Sequence, residues 1–358
     1  MLKSGKLSDF LSPKENNTDL IRLFLSLMVI YGHATTISPQ AGYVDFFEYL
    51  IGVNSSSVAV WIFFFLSGLL ITNSLIVKRN ITIFIVARFF RIWPALFVLI
   101  FITSYVLGPL LSRDDLSVYF GNTYTHDYFL RNIRLAQQYF LPGVFTSNPY
   151  REMVNGSLWS IPYEIYAYFI LLVSFFFGIL NKWSILVFIF VVGFDFISPF
   201  AILSLDRGAP LYLLFSFSLG VFFTLWADKV MIDIKKPLIF IFGYIVLGDL
   251  KVAILMIQVS IFYFVLWLSI QKWFLTFKPK HDLSYGVYLW GFFIAQILVM
   301  FFPGINIYYH QFFSICISLI FAYFSCILVE RPCVRLGFGV GNLISKLFNK
   351  LKLKMALL

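Results

Sequence analysis

The feature that most constrains this chain is a succession of apolar stretches, each near the ~20 residues that a helix needs to cross a bilayer. Ten can be counted, at residues 20–37, 56–77, 84–108, 158–180, 183–201, 210–227, 237–250, 253–270, 284–302 and 308–329. Only 12% of the residues are charged, about half the density that covers a soluble domain. The sequence therefore predicts an all-α, polytopic transmembrane helical bundle with about ten spans.

The placement of Lys and Arg predicts the orientation of these spans, because cytoplasmic loops carry most of the basic residues. If the N-terminus is cytoplasmic, only six of the 27 fall on the outer side, namely Arg113, Arg131, Arg134, Arg151, Arg207 and Lys251. An even number of spans then puts both termini in the cytoplasm. This asymmetry accounts for the formal net charge of +10, so no nucleic-acid partner is expected.

Three parts follow from this topology. They are a cytoplasmic N-terminal segment at 1–19, a transmembrane domain at 20–332 and a basic cytoplasmic tail at 333–358. The longest segment outside the spans, about 109–157, is predicted on the outer side, and loops of this length are usually functional or disordered. A glycan-facing role suits it. A signal peptide cleaved near Ala34 is disfavoured by the long polar leader and by Arg22 within the apolar run.

Ionisable side chains inside spans are costly and therefore mark candidate functional sites. Arg22 and His33 are eleven residues apart in the first span, which is three helical turns plus about 20° and a rise of about 16 Å. Both side chains thus project from one face, with the cation at the cytoplasmic end and the imidazole near the outer end. A groove of this kind suits a long anionic donor. The alternative is an Arg that snorkels to the headgroups and a His at the opposite rim.

A second cationic feature opens the third span, where Arg88 and Arg91 stand three residues apart and share a helix face. Guanidinium groups bind phosphates bidentately. The alternative for this pair is an anchor at the cytoplasmic surface of the membrane. Pro94 is expected to kink the helix just above the pair, which would open space for a ligand.

The fourth span supplies a carboxylate. Glu164 lies about one turn inside the membrane from the outer face, which is the depth predicted for His33. A carboxylate beside an imidazole orients a general base and stabilises its charged form. The alternative is an acid that the helix dipole favours near the start of a helix.

Six fragments now form a family pattern in order along the chain. They are Arg22 with His33, the segment Phe63–Ile71, Arg88 with Arg91, Trp159-Ser160 with Glu164, Leu283–Trp290, and Val329–Pro332. From about Asp19 to Pro332 the chain resembles the acyltransferase-3 membrane proteins, which O-acylate bacterial polysaccharides and lipopolysaccharide O-antigens. Two departures stand out, since many members carry an acid where this chain has Trp61 and a His where it has Gly291.

The resemblance implies a membrane O-acetyltransferase of the bacterial inner membrane. Acetyl-CoA in the cytoplasm would be the donor, and a sugar hydroxyl of a periplasmic or lipid-linked surface glycan, such as lipopolysaccharide O-antigen, would be the acceptor. His33 would be the general base or a transient acyl carrier, with Glu164 as the second catalytic residue. The residues implied at the donor site are Arg22, Arg88, Arg91, Ser67, Gly68, Trp159, Ser160, Tyr288 and Glu330.

Two other functions remain open at this stage. A glycan or lipid-linked sugar flippase would also use several spans and intramembrane charges, but internal repeats with broken helices are not visible. A glycan polymerase would favour a larger outer loop than 109–157. The three cysteines form no CxxC pair and no Cys/His cluster, so no metal is expected. The sugar, the hydroxyl, the acyl group and the oligomeric state stay undetermined.

Overall fold

The structure, a computed structural model, describes residues 3–197, 208–248 and 251–355, and these are mostly helical. The helices are α1 Thr18–Ile37, α2 Phe46–Ile51, α3 Ser55–Lys78, α4 Ile81–Ile102, α5 Gly108–Leu111, α6 Leu116–Gly121, α7 Thr123–Ile133, α8 Ile161–Phe176, α9 Lys182–Ile197, α10 Ala209–Leu225, α11 Lys235–Leu247, α12 Lys251–Ser269, α13 Lys272–Leu275, α14 Ser284–Phe301, α15 Ile307–Ser325 and α16 Arg331–Met355. Two short strands, β1 Gly5–Lys6 and β2 Met231–Ile232, pair antiparallel with Gly5 opposite Ile232. The predicted all-α class is confirmed.

Seven helical segments in the described residues are long and apolar enough to cross a membrane. They are Thr18–Ile37, Ser55–Lys78, Ile81–Leu111, Gly156–Phe176, Val252–Ser269, Ser284–Phe301 and Ile307–Leu347. Three further predicted spans correspond to the shorter helices α9, α10 and α11, of 16, 17 and 13 residues. The chain is thus a multi-pass membrane protein, while the count of ten spans and the cytoplasmic placement of both termini stay predictions.

Two segments that the sequence analysis placed outside the spans contain helices. The predicted outer loop holds α6 and α7, and Tyr119 and Tyr128 in these helices are both fully buried. Burial raises the pKa of both phenols, so they stay protonated at neutral pH. The predicted basic tail forms α16, which packs along α4, where a Cβ on Gly337 would lie 2.6 Å from the Cβ of Phe90.

Contacts divide the chain into two compact units. The described residues of Met1–Val29, Val44–Val77 and Tyr163–Asp282 form the first unit, and those of Ile30–Tyr43, Lys78–Pro162 and Leu283–Leu358 form the second. Helices α1 and α8 each contribute residues to both units. The two units are described separately below.

The first unit is built around a close approach of α3 and α10. A Cβ on Gly68 would lie 2.2 Å from the carbonyl oxygen of Phe217, and one on Gly220 would lie 2.2 Å from that of Phe65. Small residues allow helix backbones to meet in this way inside membranes. Beside this crossing, the ring of Phe65 stacks on that of Phe262 with centroids 4.4 Å apart. Gly68 therefore has a packing role that its place in a family motif did not reveal.

In the second unit, buried amides join residues 148–155 of the predicted outer segment to α14. The amide of Asn148 donates to the backbone oxygen of Gln296 at 2.9 Å and to its side-chain oxygen at 2.8 Å. The Gln296 amide in turn donates to the backbone oxygens of Tyr150 and Met153, both at 2.8 Å. Asn155 donates to the backbone oxygen of Leu289 at 2.8 Å. These bonds satisfy polar backbone groups that lipid could not and hold residues 148–155 against one helix.

Gly68→Ala should destabilise the chain, because the added methyl would meet the backbone of α10 rather than a flexible side chain. Overpacking of this kind costs roughly 1–3 kcal/mol. The matched control is Gly193→Ala on α9, where a Cβ meets nothing within 4 Å and the helix should gain up to ~1 kcal/mol. Thermal unfolding in detergent measures both. Equal effects of the two substitutions would show that α3 and α10 do not meet at Gly68.

Candidate active site

His33 lies near the C-terminal end of α1, beside an apolar cluster of the second unit. Its ring meets that of Phe292 edge-on, with centroids 5.1 Å apart at 77°. Phe292 belongs to a buried cluster with Ile37, Ala295 and Val299. Gly156 permits this packing, because a Cβ there would lie 2.7 Å from the Phe292 ring. The imidazole is therefore positioned by ring contacts on α14.

The nitrogens of this imidazole form no hydrogen bond with the residues that the structure describes. His33 is half-buried, and within the described ranges its side chain makes no hydrogen bond. Polar groups that sit inside a membrane protein are normally hydrogen-bonded, since leaving them unpaired costs free energy. An imidazole with unengaged nitrogens can accept a proton as a general base or attack an acyl group as a nucleophile.

Arg91 is held at the other end of the second unit by residues from two other motifs. Its Nη1 lies 3.3 Å from Oε2 of Glu330, whose side chain is 1% exposed. The guanidinium also lies over the ring of Tyr285, 5.7 Å from the centroid. The Tyr285 hydroxyl donates to the backbone oxygen of Ile92 at 3.0 Å, which fixes that ring. Arg91 is thus fixed on α4 by side chains from α14 and from the end of α15.

The position of Glu330 depends on an irregular helical turn. Residues Cys326–Glu330 are π-helical and connect α15 to α16. The other oxygen of the carboxylate, Oε1, accepts a hydrogen bond from the Ser325 hydroxyl at 3.1 Å. Such π-helical turns occur frequently at functional sites because they redirect side chains. The donor role predicted for Glu330 is untested, and its visible role is to position Arg91.

Arg88, one helical turn before Arg91, has a different environment. It is half-buried on α4, and no ion pair or hydrogen bond joins its guanidinium to any residue that the structure describes. A cation in a membrane span normally pairs with another group or marks a ligand path. Of the two arginines, Arg88 is therefore the one whose charge is available to an anionic ligand.

Ser160 and Tyr288, both predicted at the donor site, are joined to each other. Their hydroxyls lie 2.6 Å apart, and both residues are buried. The Tyr288 hydroxyl donates to the backbone oxygen of Ser157 at 2.7 Å, so the Ser160 hydroxyl is the donor of the shorter bond. The backbone oxygen of the neighbouring Trp159 accepts from the Gln137 amide at 2.8 Å. The two bonds of the Tyr288 hydroxyl tie the 3₁₀ helix Gly156–Ser160, just before α8, to α14.

The first unit contains the other two predicted ionisable residues. Arg22 on α1 lies 2.8 Å from Oδ2 of Asp282, just before α14, with 27% and 23% of their side chains exposed. Glu164 on α8 accepts a hydrogen bond from the Ser67 hydroxyl at 3.0 Å and another from the Tyr168 hydroxyl. Arg22 thus already has a carboxylate partner, and Glu164 is oriented by two hydroxyls.

The motif residues therefore meet in three groups. Arg91, Tyr285 and Glu330 form one group, Ser160 and Tyr288 a second, and Ser67 and Glu164 a third. His33 and Glu164 belong to different units, so their predicted proximity stays a prediction. Trp61, which replaces an acid of the family pattern, stacks on Tyr212 with centroids 5.2 Å apart.

The sequence analysis missed two polar residues of this kind. His310 is fully buried on α15, and its Nε2 lies 3.0 Å from the backbone oxygen of Ala295. Asp282, the carboxylate partner of Arg22, follows the predicted eighth span and was not singled out. A search for ionisable residues inside spans would have found His310, whereas no local pattern indicates which carboxylate reaches Arg22.

These features define a multi-pass, all-α membrane protein with guanidinium and imidazole groups inside its spans. Residues 15–331 match a family described as an acyltransferase domain, and the chain belongs to this acyltransferase-3 family.

Two relatives are similar to this chain. One is a protein named O-acetyl transferase from Shigella phage Sf6, 33% identical over 159 residues, which are 44% of this chain and 45% of the relative. The other is Nodulation protein 10 from Rhizobium leguminosarum bv. viciae, 31% identical over 173 residues, which are 46% of this chain and 45% of the relative. The chain thus spans less than half the length of each relative in these matches. No solved structure matches the chain significantly.

Glu330→Gln should destabilise the protein, because it removes the charge of the buried carboxylate that pairs with the guanidinium of Arg91. Removing one member of a buried pair costs roughly 3–5 kcal/mol, and less is expected here because Arg91 is partly exposed. The double variant Arg91→Gln/Glu330→Gln should recover part of this loss, with a coupling of about 0.5–3 kcal/mol. Thermal unfolding in detergent gives the cycle. Strictly additive effects would mean that the two side chains do not interact.

Proposed function

We propose that the chain is a membrane O-acetyltransferase that moves an acetyl group from cytoplasmic acetyl-CoA to a sugar hydroxyl of a bacterial surface glycan, such as lipopolysaccharide O-antigen. Membership of the acyltransferase-3 family and the similarity to a protein named O-acetyl transferase support acyl transfer to oxygen. The observation that carries the proposal is the His33 imidazole, which is half-buried in a span with no hydrogen bond to the described residues.

The proposed donor site is cationic. Arg88 has no anionic partner among the described residues, and Arg91 is held in place by Glu330 and Tyr285. A guanidinium fork of this kind matches the geometry of a phosphate oxygen pair. Arg88 and Arg91 are therefore proposed to bind the phosphates of CoA, and Arg22 to assist them. Because Arg22 lies against Asp282, its contribution would require the phosphate to share or displace that carboxylate.

The proposed reaction at His33 is a direct transfer. The imidazole accepts the proton of the sugar hydroxyl, and the oxygen attacks the thioester carbonyl to give a tetrahedral intermediate. The carbon–sulfur bond then breaks, and the imidazolium returns the proton to the CoA thiolate. The alternative is that the imidazole itself attacks and carries the acetyl group before the hydroxyl takes it. Either route conserves the proton and leaves the enzyme unchanged.

Glu164 is proposed to assist the imidazole by stabilising its protonated form. Its carboxylate is oriented by the hydroxyls of Ser67 and Tyr168. A fixed carboxylate stabilises a positive charge that develops beside it without first having to reorganise. A flippase would need none of this proton chemistry.

His33→Ala should abolish acetylation of the glycan while leaving the protein folded and inserted, because it removes the imidazole proposed to take the hydroxyl proton. Loss of a general base or nucleophile of this kind lowers the rate by at least 10²-fold. Mass spectrometry of the surface glycan from cells that express the variant measures the acetyl content. Immunoblots of membrane fractions measure the protein level.

The matched control is His310→Gln, which changes the other intramembrane histidine in the described residues and can still donate toward the backbone oxygen of Ala295. This variant should lose some stability yet retain acetyl transfer per folded molecule. Normal acetyl content in the His33→Ala strain would exclude a catalytic imidazole at this position. If the chain were a flippase, its inactivation would leave the glycan on the cytoplasmic side of the membrane. Cell fractionation would distinguish that outcome from surface glycan that has lost its acetyl groups.

Arg88→Ala should weaken acetyl-CoA binding by roughly ten- to a hundred-fold, the range for a hydrogen bond to a charged group. Arg88→Lys should rescue it only in part, because an ammonium lacks the planar fork. Isothermal titration of the purified chain with CoA measures the affinity. Arg335→Ala, which removes an exposed cation on α16, is the control and should bind normally. Full rescue by Lys would indicate a membrane anchor rather than a phosphate ligand.

A further inference from the structure

A cavity in the first unit, distinct from the groups described above, lies among α8, α9 and α10. Its volume is about 150 Å³, and it is partly enclosed by mainly apolar side chains, with Ala167 and Ser174 on α8, Ser184 and Ile185 on α9, and Leu214 and Val221 on α10. On α8 and on α10 the first and last lining residues are seven positions apart, which corresponds to about 10 Å along each helix. Apolar cavities of this size stay free of water and accept apolar guests.

Two lysines lie beside one end of this cavity and face the same indole. The Nζ atoms of Lys182 and Lys229 are each 5.4 Å from the ring centroid of Trp226. Trp183 meets that ring edge-on with centroids 6.3 Å apart. Lys182 stands between Asn181 and Ser184, which both line the cavity. Lys182 therefore links the pair of cations to the rim of the apolar cavity.

The described residues supply no counter-charge to this cluster. Neither lysine forms an ion pair with a residue that the structure describes, and Asp228, which precedes Lys229, is exposed and pairs with neither. Both ammonium groups lie 5.4 Å from one ring centroid, so an anion bound near that ring would be attracted by both charges. Trp183 is 72% exposed and Phe176, at the end of α8, is 69% exposed. Exposed aromatic residues of this kind are typical of the boundary between lipid headgroups and acyl chains.

We infer that this surface binds an anionic phospholipid, with the phosphate between Lys182 and Lys229 and one acyl chain in the cavity among α8, α9 and α10. The lysine pair matches the phosphate of such a lipid, and the apolar cavity matches its acyl chain. A free phosphate would fill only the first half of the site, and an uncharged lipid only the second. Basic residues near the headgroup layer attract anionic lipids by about 1 kcal/mol each. The site thus ties one lipid molecule to the junction between α9 and the end of α10.

The test is native mass spectrometry of the full purified chain with phosphatidylglycerol or phosphatidylethanolamine of identical acyl chains. The unchanged protein should retain phosphatidylglycerol roughly thirty-fold more strongly, as two basic residues predict. Lys182→Ala/Lys229→Ala should remove this preference. The control Lys235→Ala/Lys236→Ala removes the same charge from exposed positions at the start of α11. This variant should keep the preference for phosphatidylglycerol.

A second variant tests the acyl-chain half of the site. Ala167→Phe fills the far end of the cavity from α8 and should lower retention of both lipids while leaving the lysines in place. If this variant unfolds at a lower temperature than the parent, Ser184→Phe, which is half-buried on α9, fills the other end. Equal retention of the two lipids by the unchanged chain would overturn the inference. So would unchanged phosphatidylglycerol binding in the double lysine variant or in the cavity-filling variant that remains folded.

Discussion

The constraint on which the rest of this structure depends is that lipid offers no hydrogen bonds. Every backbone group inside the bilayer must be satisfied within the protein, which is why the spans in the described residues are helical. The same constraint governs side chains. Gln296, for example, uses its amide for two backbone oxygens and its side-chain oxygen for Asn148. Polar groups inside the spans are thus mostly consumed by structure, which makes an unengaged group informative.

Charged groups inside the spans can be sorted by the same criterion, namely whether the described residues supply a partner. Arg91 is matched by Glu330, and Arg22 by Asp282, so each guanidinium has a counter-charge before any ligand binds. Arg88 and His33 have no such partner in the part of the chain that the structure describes. Because leaving a polar group unpaired in a membrane costs free energy, these two positions make sense if a ligand supplies what the protein does not. The donor phosphates and the acceptor hydroxyl are the two groups that the proposed reaction would bring.

Much of this could be predicted from the sequence, because apolar length and charge density are local properties. Periodicity alone was enough to predict the helices, the separation of Arg22 and His33 along α1, and the placement of Arg88 and Arg91 on α4. Long-range features could not be predicted in this way. Neither the folding of 116–133 into α6 and α7 nor the pairing of Arg22 with Asp282 leaves a local pattern. Gly68 shows the limit most clearly, since the family pattern implied a place at the donor site and gave no sign that α3 meets the backbone of α10 there.

The departure at Gly291 from the family pattern has a steric explanation. A Cβ at Gly291 would lie 2.5 Å from Cγ1 of Ile30, one helical turn before His33 on α1. A histidine at this position would therefore require the Ile30 side chain to move aside or a smaller residue at 30, and its ring would then lie on the same side of α1 as His33, since residues three apart share a face. In this chain Ile30 occupies that volume instead. An imidazole on α14 and the Ile30 side chain in its present position are thus alternatives for one space, and the base proposed for this chain is His33 on α1 itself.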